Sequence, residues 1–225
     1  MGLADLHIHT IHSRDGACPV PVVLRHASEN AGLDVIAITD HNRLAGALEA
    51  LDLAPNYGLE VIPGCEVTTA EGHLLALFIH RLVPPGLSLV ESVRRVGDQG
   101  GLCIVPHPLS LGAKSLSART IVRALSYPDV RQVLVGIEVF NARLIHRFNN
   151  HRASKLAQKL PLARVGNSDA HVRRTIGQGA TEFAGKSAAD LRRALCSRTT
   201  RVHRSGKQTS GLLLLGSWLP EYFRR

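Results

Sequence analysis

The chain has 225 residues, 44% of them hydrophobic, which suits one barrel-sized α/β domain or two small domains. It contains no apolar stretch of about 18 residues, the length that a transmembrane helix needs. No basic segment followed by an apolar one opens the chain, so a signal peptide is not predicted. The four cysteines show no CxxC spacing and are expected to be reduced thiols, so the predicted location is cytoplasmic.

The net charge of +9 is unevenly distributed. Residues 1–140 carry 10 Lys and Arg against 14 Asp and Glu, a net charge of −4, whereas residues 141–225 carry 17 against 4, a net charge of +13. A basic half of this kind favours an anionic substrate or partner. The alternative is that these arginines lie on solvated helix faces and bind nothing.

Short apolar runs alternate along the chain with segments of helical period. The predicted strands are Leu3–His9, Val35–Thr39, Leu59–Val67, His73–His80, Leu102–Val105, Val133–Phe140, Ala163–Val165 and Thr181–Phe183. The predicted helices are Val20–Ala31, Arg43–Leu53, Ser88–Asp98, Ser117–Leu125, Ala142–Lys159 and Ser187–Cys196, the last with a capping box from Ser187 to Asp190. The alternation predicts an α/β fold, with a parallel sheet and helices outside it.

Residues 1–197 are predicted to form one domain, and residues 198–225 a basic linker with an apolar and basic tail. The linker, residues 198–210, is polar and basic. The tail, Gly211–Arg225, has a short apolar run and is expected to form a short helix. It could cover the barrel floor, pack on a second copy to form a homo-oligomer, or lie on a membrane surface.

Histidine and carboxylate residues stand next to five of the apolar runs. These clusters read Asp5-Leu-His7-Ile-His9, Thr39-Asp40-His41, Gly64-Cys65-Glu66 with His73, Pro106-His107-Pro108 and Ser168-Asp169-Ala170-His171. Imidazole nitrogen and carboxylate oxygen are ligands for divalent first-row metals. A single histidine is more often an ordinary buried or surface residue, but five clusters at strand ends predict one metal centre. A barrel brings all its strand ends to one mouth, so the clusters favour a barrel over an open sheet.

These motifs, together with Ser13-Arg14-Asp15-Gly16, resemble the PHP family, the polymerase and histidinol phosphatase family of metal-dependent phosphoesterases. The resemblance extends over roughly residues 3–185 and includes the family's motifs in order. It implies a distorted (β/α)7 TIM-like barrel with a trinuclear metal centre at the carboxyl ends of the strands. Only 30 residues separate His107 from Glu138, so the chain is expected to be of the type without an inserted subdomain.

The resemblance also implies a ligand set of nine residues. One ion would bind His7, His9, Glu66 and Asp169, a second Glu66, His73 and His107, and a third Asp15, His41 and His171. His80 is a less favoured alternative to His73. Two to three ions are expected, and the ligand types suit Zn, Mn or Fe equally. Asp5 and Asp40 lie outside this set and are interpreted as acceptors that orient neighbouring imidazoles.

The predicted function is hydrolysis of a phosphate ester, either a small phosphomonoester or the phosphate of a nucleotide, by a metal-bridging hydroxide. The three acidic ligands would leave three divalent ions only partly neutralised, which suits a phosphate dianion. The predicted catalytic residues are Glu66, Asp169 and His171, and the predicted substrate-binding residues are Arg43, Arg143 and Lys114. One alternative is a nuclease that acts on RNA or DNA ends with the same centre. A non-catalytic binding module is less favoured, because the ligand set is intact.

Overall fold

The computed structural model describes residues 1–111 and 113–205. Within them the strands are β1 (Gly2–Ile8), β2 (Val35–Ile38), β3 (Glu60–Thr68), β4 (His73–Leu77), β5 (Leu102–Val105), β6 (Leu134–Asn141), β7 (Ala163–Asn167), β8 (Gly179–Phe183) and β9 (Arg201–Arg204). The α-helices are α1 (Val20–Glu29), α2 (Ala45–Leu53), α3 (Leu89–Gly97), α4 (Ala118–Ala124), α5 (Pro128–Val133), α6 (Asn150–Ala157) and α7 (Ala188–Ser197). Short 3-10 helices cover Ala54–Tyr57, Leu144–Asn149 and Arg173–Thr175.

The strands form one sheet in the order β7-β6-β5-β4-β3-β2-β1-β8-β9. Strands β1, β2 and β3 run parallel to one another, as do β5, β6 and β7. Strand β4 is antiparallel to both of its neighbours, because a four-residue turn, Thr69–Gly72, joins it directly to β3. Strands β8 and β9 are also antiparallel to their neighbours. The sheet is therefore mixed, whereas the sequence pattern predicted a parallel one.

The sheet is nearly closed into a barrel, as the resemblance implied. Contacts join β7 and the residues after it to β1 and β8 across the remaining gap. Leu6 N donates to Asn167 Oδ1 at 3.0 Å, and Gly166 N donates to Thr181 Oγ1 at 3.2 Å. A parallel bridge also pairs Ile8 with Ala170. The carboxyl ends of β1, β2, β3, β5, β6 and β7 thereby meet at one mouth.

Apolar side chains pack in two layers, one on each face of the sheet. The inner layer combines strand residues such as Leu6 with side chains of α7, and the outer layer combines strand residues with α1 to α6. Strand β1 contributes Leu6 to the inner layer and Ile8 to the outer one, and its register with β2 shifts between Asp5 and Ile8. A β-bulge of this kind exchanges the faces of a strand. It places His7, together with Leu6, toward the barrel interior.

Three elements differ from the sequence prediction. The predicted long helix Ala142–Lys159 is divided at Asn149 and Asn150, weak helix formers, and the Asn150 side chain bonds both backbone groups of Asn141. Helix α5 was not predicted, although Pro128 stands at its favoured first position. Strand β9 lies within residues 198–210, the predicted linker, and pairs with β8, so the sheet extends beyond residue 197.

The predicted tail helix, Gly211–Arg225, lies outside the described residues, so its proposed role in oligomerisation stays a prediction. None of the helices in the described ranges is long and apolar enough to cross a membrane.

Candidate metal centre

The predicted ligands lie together at the barrel mouth, because the elements that carry them end there. His7 and His9 stand at the end of β1, and His41 lies shortly after β2, beyond Thr39 and Asp40. His41 also forms a parallel bridge with Glu66 of β3. His107 follows β5, and Asp169 and His171 follow β7. Their positions agree with those expected for a barrel with its site at the carboxyl ends of the strands.

The direction of β4 determines which of its two histidines reaches the mouth. His73 opens the strand and pairs with Thr68, near the carboxyl end of β3. His80 lies beyond the other end of β4, where it is exposed and its N–H donates to Gln99 Oε1. The antiparallel strand therefore brings His73, and not His80, to the cluster.

Glu66 is the centre of the cluster, and it is almost completely buried. Its Oε2 lies 3.2 Å from His7 Nε2, 3.3 Å from His9 Nε2 and 3.2 Å from His41 Nδ1. Its Oε1 lies 2.9 Å from His73 Nδ1 and 3.0 Å from His107 Nε2. One carboxylate thus contacts five imidazoles, an arrangement in which it can bridge two ions.

Two further carboxylates complete the cluster. Asp15 Oδ2 lies 2.8 Å from His171 Nε2 and 3.5 Å from His41 Nε2. Asp169 Oδ1 lies 3.4 Å from His9 Nε2 and 3.6 Å from His7 Nε2. Asp169 has a φ of 52°, a left-handed backbone conformation that is rare outside glycine and is common at functional sites.

Four groups of side chains place three or more ligand atoms within 4.8 Å of one another. They are His9, Asp15, His41 and His171; His7, His9 and Glu66; His7, His107 and Asp169; and His41, Glu66 and His73. Among the described residues, these groups together contain the nine predicted ligands and no other residue. The grouping differs in detail from the expected one, because His7, His9 and His41 each belong to two groups.

The chemistry of this donor set fits divalent metal ions. His9 Nε2 and His73 Nδ1 are buried and make no hydrogen bond within the described part of the chain, although both face Glu66. Such orphaned nitrogens are costly unless they bind a further group. His171 is already oriented for binding, since its Nδ1 contacts the Asp169 carbonyl oxygen at 2.9 Å. Because Nδ1 donates to this carbonyl, Nε2, which lies 2.8 Å from Asp15 Oδ2, is the nitrogen that would bind an ion.

The charges of the cluster compensate one another. Burial by itself would raise the pKa of Glu66, but the surrounding imidazoles, that of His7 above all, hold it well below its ordinary value. Burial alone would lower the pKa of His7, yet Asp169, Glu66 and Glu138 raise it well above its usual range. Burial lowers the pKa of His9 to about 3, and His171 adds to the effect. Protonated imidazoles such as that of His7 thus neutralise the negative charge of the nearby carboxylates. Bound cations would neutralise the same charge.

Glu138 of β6 is a residue of the site that the sequence reasoning missed. It is buried, and its Oε1 lies 2.9 Å from His7 Nδ1. It also accepts hydrogen bonds from His107 N at 2.7 Å, from Asn141 Nδ2 at 3.0 Å and from Asn167 Nδ2 at 2.8 Å. A carboxylate on the far nitrogen of an imidazole fixes the orientation of that ring. The available signal was a lone glutamate within an otherwise apolar strand.

Within the described ranges, Asp5 and Asp40 accept hydrogen bonds from backbone N–H groups and from a threonine hydroxyl, and neither bonds an imidazole. Asp5 accepts from Ser168 N at 3.0 Å and from Gly177 N at 2.9 Å, and burial raises its pKa to about 6. Asp40 accepts from Thr10 N at 2.6 Å and Thr10 Oγ1 at 2.7 Å. The interpretation that these two carboxylates orient neighbouring imidazoles is therefore wrong, and Glu138 has that contact instead.

The predicted substrate-binding residues lie at different distances from the cluster. Arg143 Nη1 is 3.7 Å from Asp169 Oδ1. Lys114 lines an open depression over the site together with His41, His73 and Arg14. Arg14 was not among the predicted substrate-binding residues. The Arg43 side chain is exposed, and no contact with the cluster is seen among the described residues. Arg143 and Lys114 are thus better placed than Arg43 to meet a substrate.

Comparison with known proteins agrees with this geometry. A sequence profile described as PHP domain matches residues 5–158, and one described as PHP-associated matches residues 147–200. An uncharacterized protein of Methanocaldococcus jannaschii, MJ1587, is 36% identical over 170 residues, which are 70% of this chain and 93% of that protein. A protein of Haemophilus influenzae named 5'-3' exoribonuclease is 28% identical over 203 residues, 85% of this chain and 62% of that one.

A solved structure shares the fold. It is a two-domain protein of Bacteroides vulgatus that contains a predicted PHP-like metal-dependent phosphoesterase. The two superimpose with a TM-score of 0.72 over 98% of this chain and 69% of that one, at 23% sequence identity. The agreement extends to the nearly closed barrel.

Proposed function

Since the chain belongs to the PHP domain family of metal-dependent phosphoesterases, we propose that it hydrolyses the phosphate ester of a small phosphomonoester or a nucleotide. The active centre would be two to three divalent ions, Zn, Mn or Fe, held by the nine converging residues. The observation that carries the proposal is Glu66, a buried carboxylate within 3.3 Å of five imidazole nitrogens.

When bound, such ions provide a nucleophile by lowering the pKa of a water molecule, and they polarise phosphoryl oxygens. Glu66 would hold ions on both sides, because each of its oxygens faces a different set of imidazoles. Asp169 and His171 would bind at the side of β7, where the His171 ring is fixed by the Asp169 carbonyl oxygen. These three are the residues to which we assign the catalytic role.

The mouth has cationic groups suited to a phosphate. Arg143 lies beside Asp169, and Lys114 and Arg14 line the depression over His41 and His73. An anion that reached the centre would meet these side chains first. Of the 30 residues between His107 and Glu138, the described ones form loops, α4, α5 and the start of β6, which leaves no room for a large insertion over the entrance.

Metal analysis of the purified protein, followed by a phosphate-release screen, tests the proposal. We expect two to three ions per chain and release of inorganic phosphate from monoesters such as nucleoside monophosphates. Chelation should abolish the release, and added metal should restore it. Less than one ion per chain after metal supplementation, or activity that survives chelation, would overturn the metalloenzyme assignment.

A second candidate is a nuclease that acts on RNA or DNA ends with the same centre. The name of the Haemophilus influenzae relative, which aligns over 85% of this chain, favours it. The net charge of +13 over residues 141–225 also suits a polyanion. Against it, the chain has only nine Phe, Tyr and Trp residues, a small supply for base stacking.

The salt dependence of binding separates the two candidates. A polynucleotide that contacts several cationic side chains releases counterions, so its affinity should fall steeply as salt rises. A monoester held by two or three side chains should lose much less affinity. Processive release of nucleotides from a 5'-phosphorylated oligonucleotide, with steep salt dependence, would favour the nuclease over the monoesterase.

A further inference from the structure

His146 is a buried imidazole at the edge of the cluster that the ligand set does not include. It lies in the 3-10 helix Leu144–Asn149, after β6, and is almost completely buried. Its Nε2 is 3.3 Å from Asp169 Oδ2, and its ring stacks on His107 with centroids 4.6 Å apart and planes 15° apart. The side chain thus touches two proposed metal ligands.

The geometry argues against His146 as a further ligand. Among the described residues, each of the nine proposed ligands belongs to a group of at least three ligand atoms within 4.8 Å, and His146 belongs to none. Asp169 is the only carboxylate it faces within ion-pair distance in the same part of the chain. An ion at His146 would therefore lack a set of neighbouring ligands.

The hydrogen bonds of Ser110 are compatible with the tautomer of His146 that carries its hydrogen on Nε2. Asn149 Nδ2 donates to Ser110 Oγ at 3.4 Å, which leaves the serine hydroxyl hydrogen available. Ser110 Oγ lies 2.7 Å from His146 Nδ1 and can donate to it. With Nδ1 accepting, the neutral imidazole bears its hydrogen on Nε2, which faces Asp169.

Asp169 presents its two oxygens to different environments. Oδ1 faces the ligand imidazoles, 3.4 Å from His9 Nε2 and 3.5 Å from His171 Nδ1. Oδ2 faces donors, Asn141 Nδ2 at 3.2 Å and His146 Nε2 at 3.3 Å. In this structure the His146 contact is close but not aligned as a regular hydrogen bond. Such contacts often tighten when a site is fully assembled.

We propose that His146 is a positioning residue, which with Asn141 holds Oδ2 of Asp169 so that only Oδ1 is presented to the ions. Ser110 fixes the hydrogen on Nε2 and links the loop after β5 to this contact. The inference rests on the proposed metal centre, in which Asp169 is a ligand. Removal of a group that orients a ligand typically weakens metal binding by about 10-fold to 100-fold.

Two substitutions of His146 distinguish its contact with Asp169 from its contact with Ser110. His146→Gln can place an N–H near the position of Nε2 and so reach Asp169. His146→Asn can keep a contact near the position of Nδ1, with Ser110, but is too short to reach Asp169. The matched control is His151→Ala, an exposed histidine on α6 for which no side-chain contact is described.

The affinity and number of bound ions are measured by titration with Zn²⁺ or Mn²⁺ against a competing chelator. We expect His146→Asn to keep the number of ions but to weaken at least one of them by about 10-fold to 100-fold. His146→Gln should remain within a few-fold of wild type, His151→Ala should match it, and Ser110→Ala should weaken binding in the same direction as His146→Asn. The same order is expected in kcat/KM.

Three results would overturn the inference. Loss of a whole equivalent of metal from both His146 variants would make His146 a ligand. Equal weakening in His146→Gln and His146→Asn would assign the effect to the stack on His107. Wild-type affinity in His146→Asn and Ser110→Ala would remove the positioning role. Absence of metal binding by the wild-type protein would instead overturn the proposed function, so the two failures are distinguishable.

Discussion

Glu66 is the side chain on which the proposed centre depends most, because both of its oxygens contact imidazoles. The substitution Glu66→Gln replaces one oxygen by an N–H₂ group, which cannot bind an ion and would face imidazole nitrogens. We expect a loss of phosphate release of about 10³-fold or more, as for removal of a major electrostatic contribution. Metal analysis should show fewer ions per chain, and circular dichroism should show an unchanged fold.

The control for this variant is Glu91→Gln. Glu91 is partly exposed on α3 and pairs with Arg95 at the surface, an interaction that contributes little to the stability of the fold. The Glu91→Gln variant should therefore keep wild-type activity. Near wild-type phosphate release from Glu66→Gln would show that the catalytic centre lies elsewhere.

Arg143 is the arginine best placed to contact a substrate phosphate, since its guanidinium lies 3.7 Å from Asp169 Oδ1. Arg143→Ala should lower kcat/KM by about 10-fold to 100-fold, which corresponds to roughly 1.5–3 kcal/mol for a charge-assisted hydrogen bond. Steady-state kinetics on a monoester measures this loss. Arg43→Ala should have a smaller effect, because the Arg43 side chain shows no contact with the described cluster.

Arg25, exposed on α1, is a suitable control for the arginine series. Arg192 is less suitable, because it donates to the Gly100 carbonyl oxygen and stacks on Phe78. If Arg143→Ala, Arg43→Ala and Arg25→Ala had equal effects that high salt erased, the basic half would act by diffuse steering of a long polyanion. The nuclease candidate would then be preferred.

At the scale of secondary-structure elements, helix α2 approaches the site closely at Gly46. A Cβ at this position would meet Thr10 Oγ1 at 2.7 Å and would also meet the Asp40 carboxylate that Thr10 bonds. Alanine usually stabilises a helix by up to about 1 kcal/mol relative to glycine. Overpacking costs about 1–3 kcal/mol, and disruption of the buried Asp40 contacts adds to it. We therefore expect Gly46→Ala to destabilise the protein.

Urea denaturation measures this effect, with a net decrease of about 1–3 kcal/mol expected in the free energy of unfolding. Leu48→Ala, at a partly exposed position of the same helix, should change it by about 0.5 kcal/mol or less. A more stable Gly46→Ala variant would mean that α2 does not pack as closely on Thr10 as the structure indicates.

At the scale of the whole molecule, burial protects three of the four thiols from reagents in solution. Cys18, Cys65 and Cys103 are buried, whereas Cys196 is exposed on α7. Burial also raises the pKa of Cys65 to about 12, which disfavours the reactive thiolate. The native protein should therefore show one fast-reacting thiol per chain, and the denatured protein should show four.

A thiol reagent with a colorimetric readout, applied before and after unfolding, tests this count. The Cys196→Ser variant should show no fast-reacting thiol in the native state. More than one fast thiol in the native wild type would mean that part of the barrel opens readily.

The sequence by itself indicated most of the strands and the histidine and carboxylate clusters that contain most of the proposed ligands. Both depend on local patterns, since apolar runs mark buried strands and the polar clusters stand at their ends. The capping box at Ser187 was predicted for the same reason, and the structure confirms it. The PHP family, now shown by the match over residues 5–158, supplied the set of nine proposed ligands and their grouping through the resemblance.

Only the tertiary structure decided which side chains support those ligands and how the strands face the interior. Glu138 contacts His7 across 131 residues of sequence, and His146 contacts Asp169 through a helix that the sequence misplaced. The bulge in β1, which directs His7 inward, has no residue-level signature in the chain. A local pattern reports whether a residue is buried, but the partner it meets depends on the closure of the barrel, which joins segments far apart in the chain.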